Sequence, residues 1–274
     1  MGFFVDSINI LLPAFYFIVV WTYGKAFFGD VVWAKTVKPR LLISTVSLHF
    51  LYLLARAIEF NHPPVTTLFE ILTVLAFCVA LAYLMIEIRS KSGETGYFIL
   101  NIAFFFQFIS SAFIRDLLEV PEILRSNFFG LHVGAALLGY AAITLSAVYG
   151  FLYLMLYHQI KASKFGMIYA KLPNLETLER MSYTGFKMAF LFLGIAILVG
   201  FLWLPQTFLD VSYNDPKLVG TILLWLLYGI GIAAKWLGEW KGRKVMILSV
   251  WGFGLTIFSM TIVNLFFTGF HNFY

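Results

Sequence analysis

The sequence predicts an all-α protein, a polytopic transmembrane helical bundle of about eight helices. Of its 274 residues, 61% are hydrophobic and 12% are charged, whereas soluble domains carry roughly 25% charged residues. The mean hydropathy is +0.88. Crossing the hydrocarbon takes about 20 apolar residues, and eight such windows occupy most of the chain. We therefore expect a protein embedded in a lipid bilayer, with residues 1–274 forming a single transmembrane domain.

The eight windows define the helices in chain order. They cover residues 8–28, 41–57, 68–88, 97–114, 131–157, 183–204, 218–234 and 245–268. The first window is too long and aromatic for a removable signal peptide and lacks a basic start and a small-residue cleavage site, so it is counted as a span. The connections are short except for 161–184, where residues 172–180 are predicted to form either a helix on the cytoplasmic surface or an amphipathic connector.

Lysine and arginine are distributed unequally between alternate loops, and this distribution predicts the orientation. One set of loops carries 15 of the 19 basic residues. These are Lys25, Lys35, Lys38, Arg40, Arg89, Lys91, Lys161, Lys164, Lys171, Arg180, Lys187, Lys235, Lys241, Arg243 and Lys244. By the positive-inside rule this set faces the cytoplasm, and both termini lie on the outer, periplasmic side of a bacterial cytoplasmic (inner) membrane. The net charge of +5 reflects this topology, so no nucleic-acid partner is expected.

The sequence lacks the motifs of several common enzyme classes. It contains no Walker loop, no Gly-x-Gly-x-x-Gly, no Gly-x-Ser-x-Gly and no His-Glu-x-x-His, which argues against ATPases, dinucleotide enzymes, α/β-hydrolases and zinc proteases. The single cysteine, Cys78, lies inside the third window, which excludes a disulfide framework, a Cys-x-x-Cys motif and a thiolate cluster. The residues left for chemistry are histidines, aromatics and a few outer acids.

The five histidines occupy three depths in this topology. His62, His132 and His271 lie at the outer boundary, His49 lies near the middle of the membrane, and His158 lies at the cytoplasmic end of the fifth helix. An ionisable group within the hydrocarbon indicates a functional site by default. His49 is thus a candidate ligand or proton relay, or alternatively a histidine satisfied by hydrogen bonds between helices. His158 is interpreted as a solvated helix end.

His132 and His271 form the main candidate pair. They lie at one depth, and neutral imidazoles on opposite faces of a porphyrin are the usual axial ligands of a b-type haem. Arg115, Arg125 and Lys217 on the same side are candidate partners for haem propionates. Aromatic residues such as Phe128, Phe129 and Trp203 lie nearby on the same side, and the alternative is that they and the histidines only mark the membrane interface. The hypothesis predicts a non-covalent haem b with both imidazoles as iron ligands.

Glu70 stands at the outer start of the third window. Thr67 and Glu70 have the Thr-x-x-Glu spacing of a capping box, in which both side chains satisfy the first amides of a helix. The alternative is that Glu70 contacts His62 or serves as a ligand itself. His62 and Glu70 are therefore secondary candidates.

Five ordered segments resemble the cytochrome c assembly family, the haem-handling membrane proteins of system II cytochrome c maturation. The first segment, NHPPVTTLFE at 61–70, resembles that family's Gly-His-x-Pro-x-Ser-Asn-x-Tyr-Glu motif. The others are SN at 126–127 with LHV at 131–133 and GYAA at 139–142, LPNLE at 172–176 with RMSY at 180–183, DPK at 215–217 with Trp225 and Tyr228, and GF at 252–253 with VNL at 263–265 and GFHNFY at 269–274. Together they cover roughly residues 60 to 274.

The resemblance implies roles for particular residues. His132 and His271 look like the family's two outer histidines, which ligate haem for delivery to apocytochrome c, and Asp215 and Lys217 fall in the haem-binding segment between them. A partner membrane protein is implied to present the apocytochrome, so the chain is expected to be one component of a synthase complex rather than an enzyme alone. The family's tryptophan-rich stretch is replaced by VSYN at 211–214, and its further histidine is absent near Ala233. A second haem within the membrane is therefore not expected.

Three functional hypotheses follow. The first is haem handling in cytochrome c maturation. The second is a HemX-like regulator of haem synthesis, which the degenerate tryptophan segment favours. The third is an accessory helical subunit of a larger membrane complex. Retention of His132 and His271 favours the first.

Overall fold

The computed structural model describes residues 2–116, 120–207, 216–238, 240 and 242–260. Its regular elements, within these ranges, are all helical. They are α1 (Gly2–Phe28), α2 (Val32–Phe60), α3 (Leu68–Ser90), α4 (Gly96–Phe113), α5 (Asn127–Lys161), α6 (Met167–Lys171), α7 (Leu175–Thr207), α8 (Pro216–Trp236), α9 (Arg243–Phe258) and a 3-10 turn at Glu122–Arg125.

The predicted all-α, polytopic helical bundle is confirmed. Each of the eight hydropathy windows coincides with a long helix, and the last window is described as far as residue 260. Seven helices in the described ranges (α1–α5, α7 and α8) are long and apolar enough to cross a membrane. The protein is therefore a multi-pass membrane protein. The orientation given by the positive-inside rule stays a prediction.

The chain divides into two compact units, of which the first comprises residues 1–124. In this unit α1 packs against α2 and α4, and α3 packs against α2 and α4, so the four helices form a closed ring. The turn between α2 and α3 is tightly built. Asn61 ends α2 in the left-handed conformation at φ 54°, which asparagine tolerates better than most residues, and Thr67 begins α3.

The second unit, residues 125–274, is organised around the 35-residue helix α5. This helix packs along α7 and α9, and α8 packs against α7. Small residues allow the close approach: a Cβ on Gly139 would lie 2.9 Å from the Leu193 side chain. Hydrogen bonds also join the helices, because Ser146 Oγ lies 2.7 Å from Ser249 Oγ and 2.8 Å from the carbonyl oxygen of Ser182. Small residues with hydroxyl hydrogen bonds are typical of helix contacts in membranes.

The connection between α5 and α7 differs from the sequence prediction. Residues 172–180 do not form a separate surface helix, because α7 begins at Leu175 and continues without a break to Thr207. Asn174 explains the start of α7, since its Oδ1 accepts a 2.9 Å hydrogen bond from the amide of Thr177 and so caps the helix. The short separate helix in this connection is α6, five residues upstream of the predicted position.

Candidate functional site

His132 lies in the second turn of α5, at the end of the helix that is predicted to face the outer side. Its imidazole points toward α7, where Nδ1 donates a 2.8 Å hydrogen bond to the carbonyl oxygen of Ala196. Ser126 fixes the residue at which α5 begins. Its side chain accepts a 3.1 Å hydrogen bond from the amide of Phe129 and so caps the helix. The start of the helix, and with it the depth of His132, is therefore well defined.

Gly200 provides the space for this imidazole on α7. A Cβ at Gly200 would lie 3.0 Å from both Cε1 and Nδ1 of His132, so a side chain there would compete with the ring for the same volume. One turn further out, the rings of Phe129 and Trp203 lie 5.9 Å apart and join the same two helices. The imidazole is thus seated in a slot between α5 and α7 with aromatic rings at its outer side.

The hydrogen bond to Ala196 determines which nitrogen of His132 is available to a metal. A carbonyl oxygen only accepts, so the proton must reside on Nδ1, and Nε2 carries the lone pair. No described residue hydrogen-bonds Nε2. Histidines that ligate metals almost always donate their other ring N–H to a carbonyl or carboxylate, which fixes the tautomer and the ring orientation. The donor set at His132 therefore fits an axial ligand of haem iron through Nε2.

Of the other predicted members of this site, Arg115 is described and lies exposed in the first unit, and the rest lie partly or wholly outside the described residues. His271 and Asp215 are among them, so the pairing of His132 with His271 stays a prediction. Lys217 lies in the first turn of α8, and Arg125 ends the 3-10 turn before α5, but the description of both stops at the backbone.

His49 lies at the centre of the first unit, fully buried, in a chain of hydrogen bonds that crosses all four helices. Tyr16 Oη lies 2.9 Å from Nδ1, and Thr73 Oγ1 lies 3.0 Å from Nε2. Thr73 in turn donates to Gln107 Oε1 at 2.7 Å, so its oxygen must accept the Nε2 proton of His49. Tyr16 then donates to Nδ1. Because both ring nitrogens are engaged, iron ligation by His49 would require one of these bonds to break.

We expect His49→Leu to destabilise the protein without changing haem binding. The substitution removes the hydrogen-bond partner of the Tyr16 hydroxyl, whereas Thr73 still donates to Gln107. An unsatisfied buried polar group costs about 1–3 kcal/mol. Thermal unfolding of the purified protein in detergent measures the loss. The double variant Tyr16→Phe with His49→Leu removes the stranded hydroxyl and should recover much of it. A haem spectrum altered by His49→Leu would instead assign a ligand role to His49.

Glu70 lies in the first turn of α3 and forms the predicted capping box with Thr67, which is confirmed. Its Oε2 also accepts hydrogen bonds from the amide of Thr66 at 2.9 Å and from the hydroxyl of Thr66 at 2.7 Å. His62 is buried in the loop just before, where Nδ1 donates to the carbonyl oxygen of Pro63 at 3.0 Å. The NHPPVTTLFE segment thus folds into a compact loop that is held by the Glu70 carboxylate.

Arg56 is the residue of this region that the sequence did not single out. Its Nε donates to Glu70 Oε1 at 2.9 Å, and the two side chains are 2% and 0% exposed. The same guanidinium donates to Asp116 Oδ1 at 2.9 Å and to the carbonyl oxygen of Arg115 at 3.1 Å. Arg56 therefore joins the end of α2 to the start of α3 and to the segment after α4. In the sequence, the signal for this role was an arginine inside an apolar window with an acidic residue nearby on the outer side.

The fold defines a class, that of multi-pass helical membrane proteins, and the site adds an imidazole held between two of the helices. Comparison with known proteins gives the particular family. The model of the family described as "Cytochrome C assembly protein" matches residues 33–271. The chain belongs to this family, and the resemblance inferred from the five segments is confirmed.

Several curated relatives carry the name cytochrome c biogenesis protein CcsA. The protein of Chlorella vulgaris is 25% identical over 255 residues, which cover 81% of each chain. The protein of Chlamydomonas reinhardtii is 27% identical over 245 residues, which cover 86% of this chain and 68% of the relative. The protein of Prochlorococcus marinus strain NATL1A is 24% identical over 301 residues, covering 98% and 95%.

Proposed function

We propose that this chain is a haem-handling membrane protein of cytochrome c maturation that holds haem b non-covalently at the outer membrane face. The observation that carries the proposal is the hydrogen bond from His132 Nδ1 to the carbonyl of Ala196, which leaves Nε2 as the ligating atom. Family membership and the name shared by the relatives support the biological context. In this proposal haem is the cargo, and His271 provides the second axial ligand.

The residues of this chain hold and orient the cargo rather than transform it. His132 contributes a lone pair at a defined depth and angle because its ring is constrained by both α5 and α7. The half-buried ring of Trp203, which packs on Phe129 beside the imidazole, supplies apolar surface suited to a porphyrin face. Lys217 is proposed to pair with a propionate, and Asp215 to belong to the same surface. Charge-assisted hydrogen bonds of this kind select the anionic edge of haem.

Delivery to apocytochrome c requires a second protein in this proposal. The eight long helices use most of the chain, so a partner membrane protein is proposed to present the apocytochrome. The complex as a whole forms the covalent bonds to haem, and this chain supplies the haem. We place the complex in a bacterial cytoplasmic membrane with His132 on its periplasmic side, in accordance with the distribution of basic residues.

Spectroscopy of the purified protein tests the proposal. Wild type, either as isolated or after addition of haem, should give a six-coordinate low-spin b-type spectrum in reduced-minus-oxidised difference measurements. His132→Ala and His271→Ala should each abolish this spectrum, and added imidazole should restore it by occupying the vacated position. His158→Ala at the cytoplasmic end of α5 is the matched control and should leave the spectrum unchanged.

Two outcomes oppose the proposal. Folded wild type that takes up no haem contradicts it and favours the regulatory or accessory-subunit hypotheses. A six-coordinate spectrum that survives His132→Ala assigns the iron ligand to another residue.

A further inference from the structure

A groove of about 490 Å³ runs along the surface of the first unit between α1 and α4. Its walls come only from these two helices, and it lies at the end where α1 finishes and α4 begins. The positive-inside rule places this end at the cytoplasmic face. The volume falls within the range of about 300–1,000 Å³ typical of pockets for small ligands.

Aromatic side chains form the walls of the groove. The rings of Phe17 and Phe104 lie 6.0 Å apart at one end, and the rings of Phe28 and Tyr97 lie 5.0 Å apart at the other. At Gly24 a Cβ would lie only 3.2 Å from the Tyr97 ring, so α1 and α4 are in close contact beneath the groove. Phe17 and Phe28 are 57% and 43% exposed. Apart from Asn101 and Lys25, the groove therefore presents an apolar and aromatic channel.

Lys25 provides the one charge of this groove and stands at its cytoplasmic end. Two neighbouring acids have lysine partners of their own, since Asp30 pairs with Lys35 and Glu87 lies 3.9 Å from Lys38. In the described part of the chain no carboxylate pairs with Lys25. Its ammonium lies 5.7 Å from the centroid of the Trp21 ring. An exposed cation beside a tryptophan is the arrangement found at the level of lipid headgroups.

We propose that this groove binds one anionic phospholipid of the cytoplasmic leaflet. The phosphate contacts Lys25 and one acyl chain follows the groove toward Phe17. The dimensions agree with this occupant: Lys25 and Phe17 are eight residues apart on α1, which corresponds to about 12 Å along the helix axis. That length is close to the thickness of one leaflet of the hydrocarbon, about 15 Å. The positive charge therefore lies at the depth of the lipid phosphate, and the apolar channel lies at the depth of the acyl chain.

Two other occupants fit less well. A packed apolar helix would leave the Lys25 ammonium at the end of the groove without a counter-charge, whereas a lipid phosphate supplies one. Haem would require an iron ligand, and the residues that line the groove include neither histidine, cysteine nor methionine. A single acyl chain with an anionic headgroup remains the occupant that agrees with both the volume and the charge. The proposal does not depend on the haem-handling function.

Native mass spectrometry of the full-length protein tests the lipid site. The protein is exchanged into detergent with equal amounts of phosphatidylglycerol and phosphatidylcholine of identical acyl chains. Wild type should retain one phosphatidylglycerol in preference to phosphatidylcholine by about fivefold, the effect of one cationic side chain near a membrane surface. Lys25→Gln should abolish the preference. Lys35→Gln is the matched control, because Lys35 is paired with Asp30 and does not line the groove.

A second variant tests the contribution of the groove independently of the Lys25 charge. Asn101→Trp, at a half-buried lining position, fills the channel without altering Lys25 and should reduce retention of both lipids at this site, with the unfolding temperature as the check on folding. Equal retention of the two lipids by wild type overturns the proposal, as does a preference that survives Lys25→Gln. Co-purification of a peptide or haem that Asn101→Trp displaces also overturns it, since the groove then has a different ligand.

Discussion

Arg56→Leu is expected to reduce the stability of the protein by about 3–5 kcal/mol, the cost of removing one partner of a buried ion pair. The guanidinium is the only described cation within hydrogen-bonding distance of the Glu70 carboxylate. Without it the charge of Glu70 is left with the neutral donors of Thr66 and Thr67. Since Arg56 also holds Asp116, the segment after α4 should loosen as well. Thermal unfolding in detergent and the amount of protein recovered from membranes are the measurements.

A double-mutant cycle distinguishes the ion pair from simple loss of packing. Arg56→Met combined with Glu70→Gln removes both charges, and the amide oxygen of glutamine can still accept the hydrogen bonds of Thr66 and Thr67, the second of which belongs to the capping box. The double variant should therefore be more stable than Arg56→Met alone. Lys35→Gln, which breaks the exposed pair with Asp30, is the control and should change stability by less than about 1 kcal/mol. If Arg56→Met alone unfolds no earlier than this control, the buried pair is not what holds the loop.

Gly200→Ala is expected to weaken haem binding by about 10–100-fold, the usual effect of disturbing the residue that orients a metal-ligating histidine. The new Cβ would lie 3.0 Å from Cε1 and Nδ1 of His132, so the ring is pushed by a few tenths of an ångström and its hydrogen bond to Ala196 is disturbed. Stability should not fall correspondingly, because alanine is the better helix former. Titration of the purified protein with haem, followed by absorbance, gives the dissociation constant.

Gly134→Ala is the matched control for this substitution. It makes the same chemical change two residues after His132, at a position where a Cβ meets nothing within 4 Å. Haem affinity unchanged by Gly134→Ala and reduced by Gly200→Ala assigns the effect to the imidazole slot. Equal affinities in both variants and wild type would show that the position of the His132 ring does not control haem binding.

Most of the fold follows from the sequence because the bilayer imposes a minimum apolar length on every span. The hydropathy windows therefore coincide with helices, and the capping box at Thr67 was readable because its two residues are only three apart. The start of α7 was missed since hydropathy does not register a helix that extends beyond the hydrocarbon. Here the Asn174 cap was the decisive local signal.

The site was predictable only in part. His132 was identified by its depth and by the family resemblance, but its ring orientation depends on Gly200 and on the carbonyl of Ala196. Neither a glycine in an apolar helix nor a backbone oxygen has a recognisable sequence pattern. The partner of Glu70 was missed for a similar reason, since Arg56 lies 14 residues earlier on another helix and is brought beside Glu70 only by the packing of α2 against α3. His271 and Asp215 lie outside the described residues.

The atom that accepts the hydrogen bond from His132 is a backbone oxygen of α7, so most side-chain substitutions in α7 leave this acceptor in place. A carbonyl oxygen is present whatever residue occupies position 196, so drift in the side chains of α7 does not delete the contact that selects the imidazole tautomer. Mutational tolerance should therefore be high at the exposed positions of this stretch, Ile195, Leu198 and Leu202, and low at position 200, where added bulk displaces the ring. A saturation library of residues 195, 198, 200 and 202, scored by haem content, should show that intolerance at position 200 against three permissive positions.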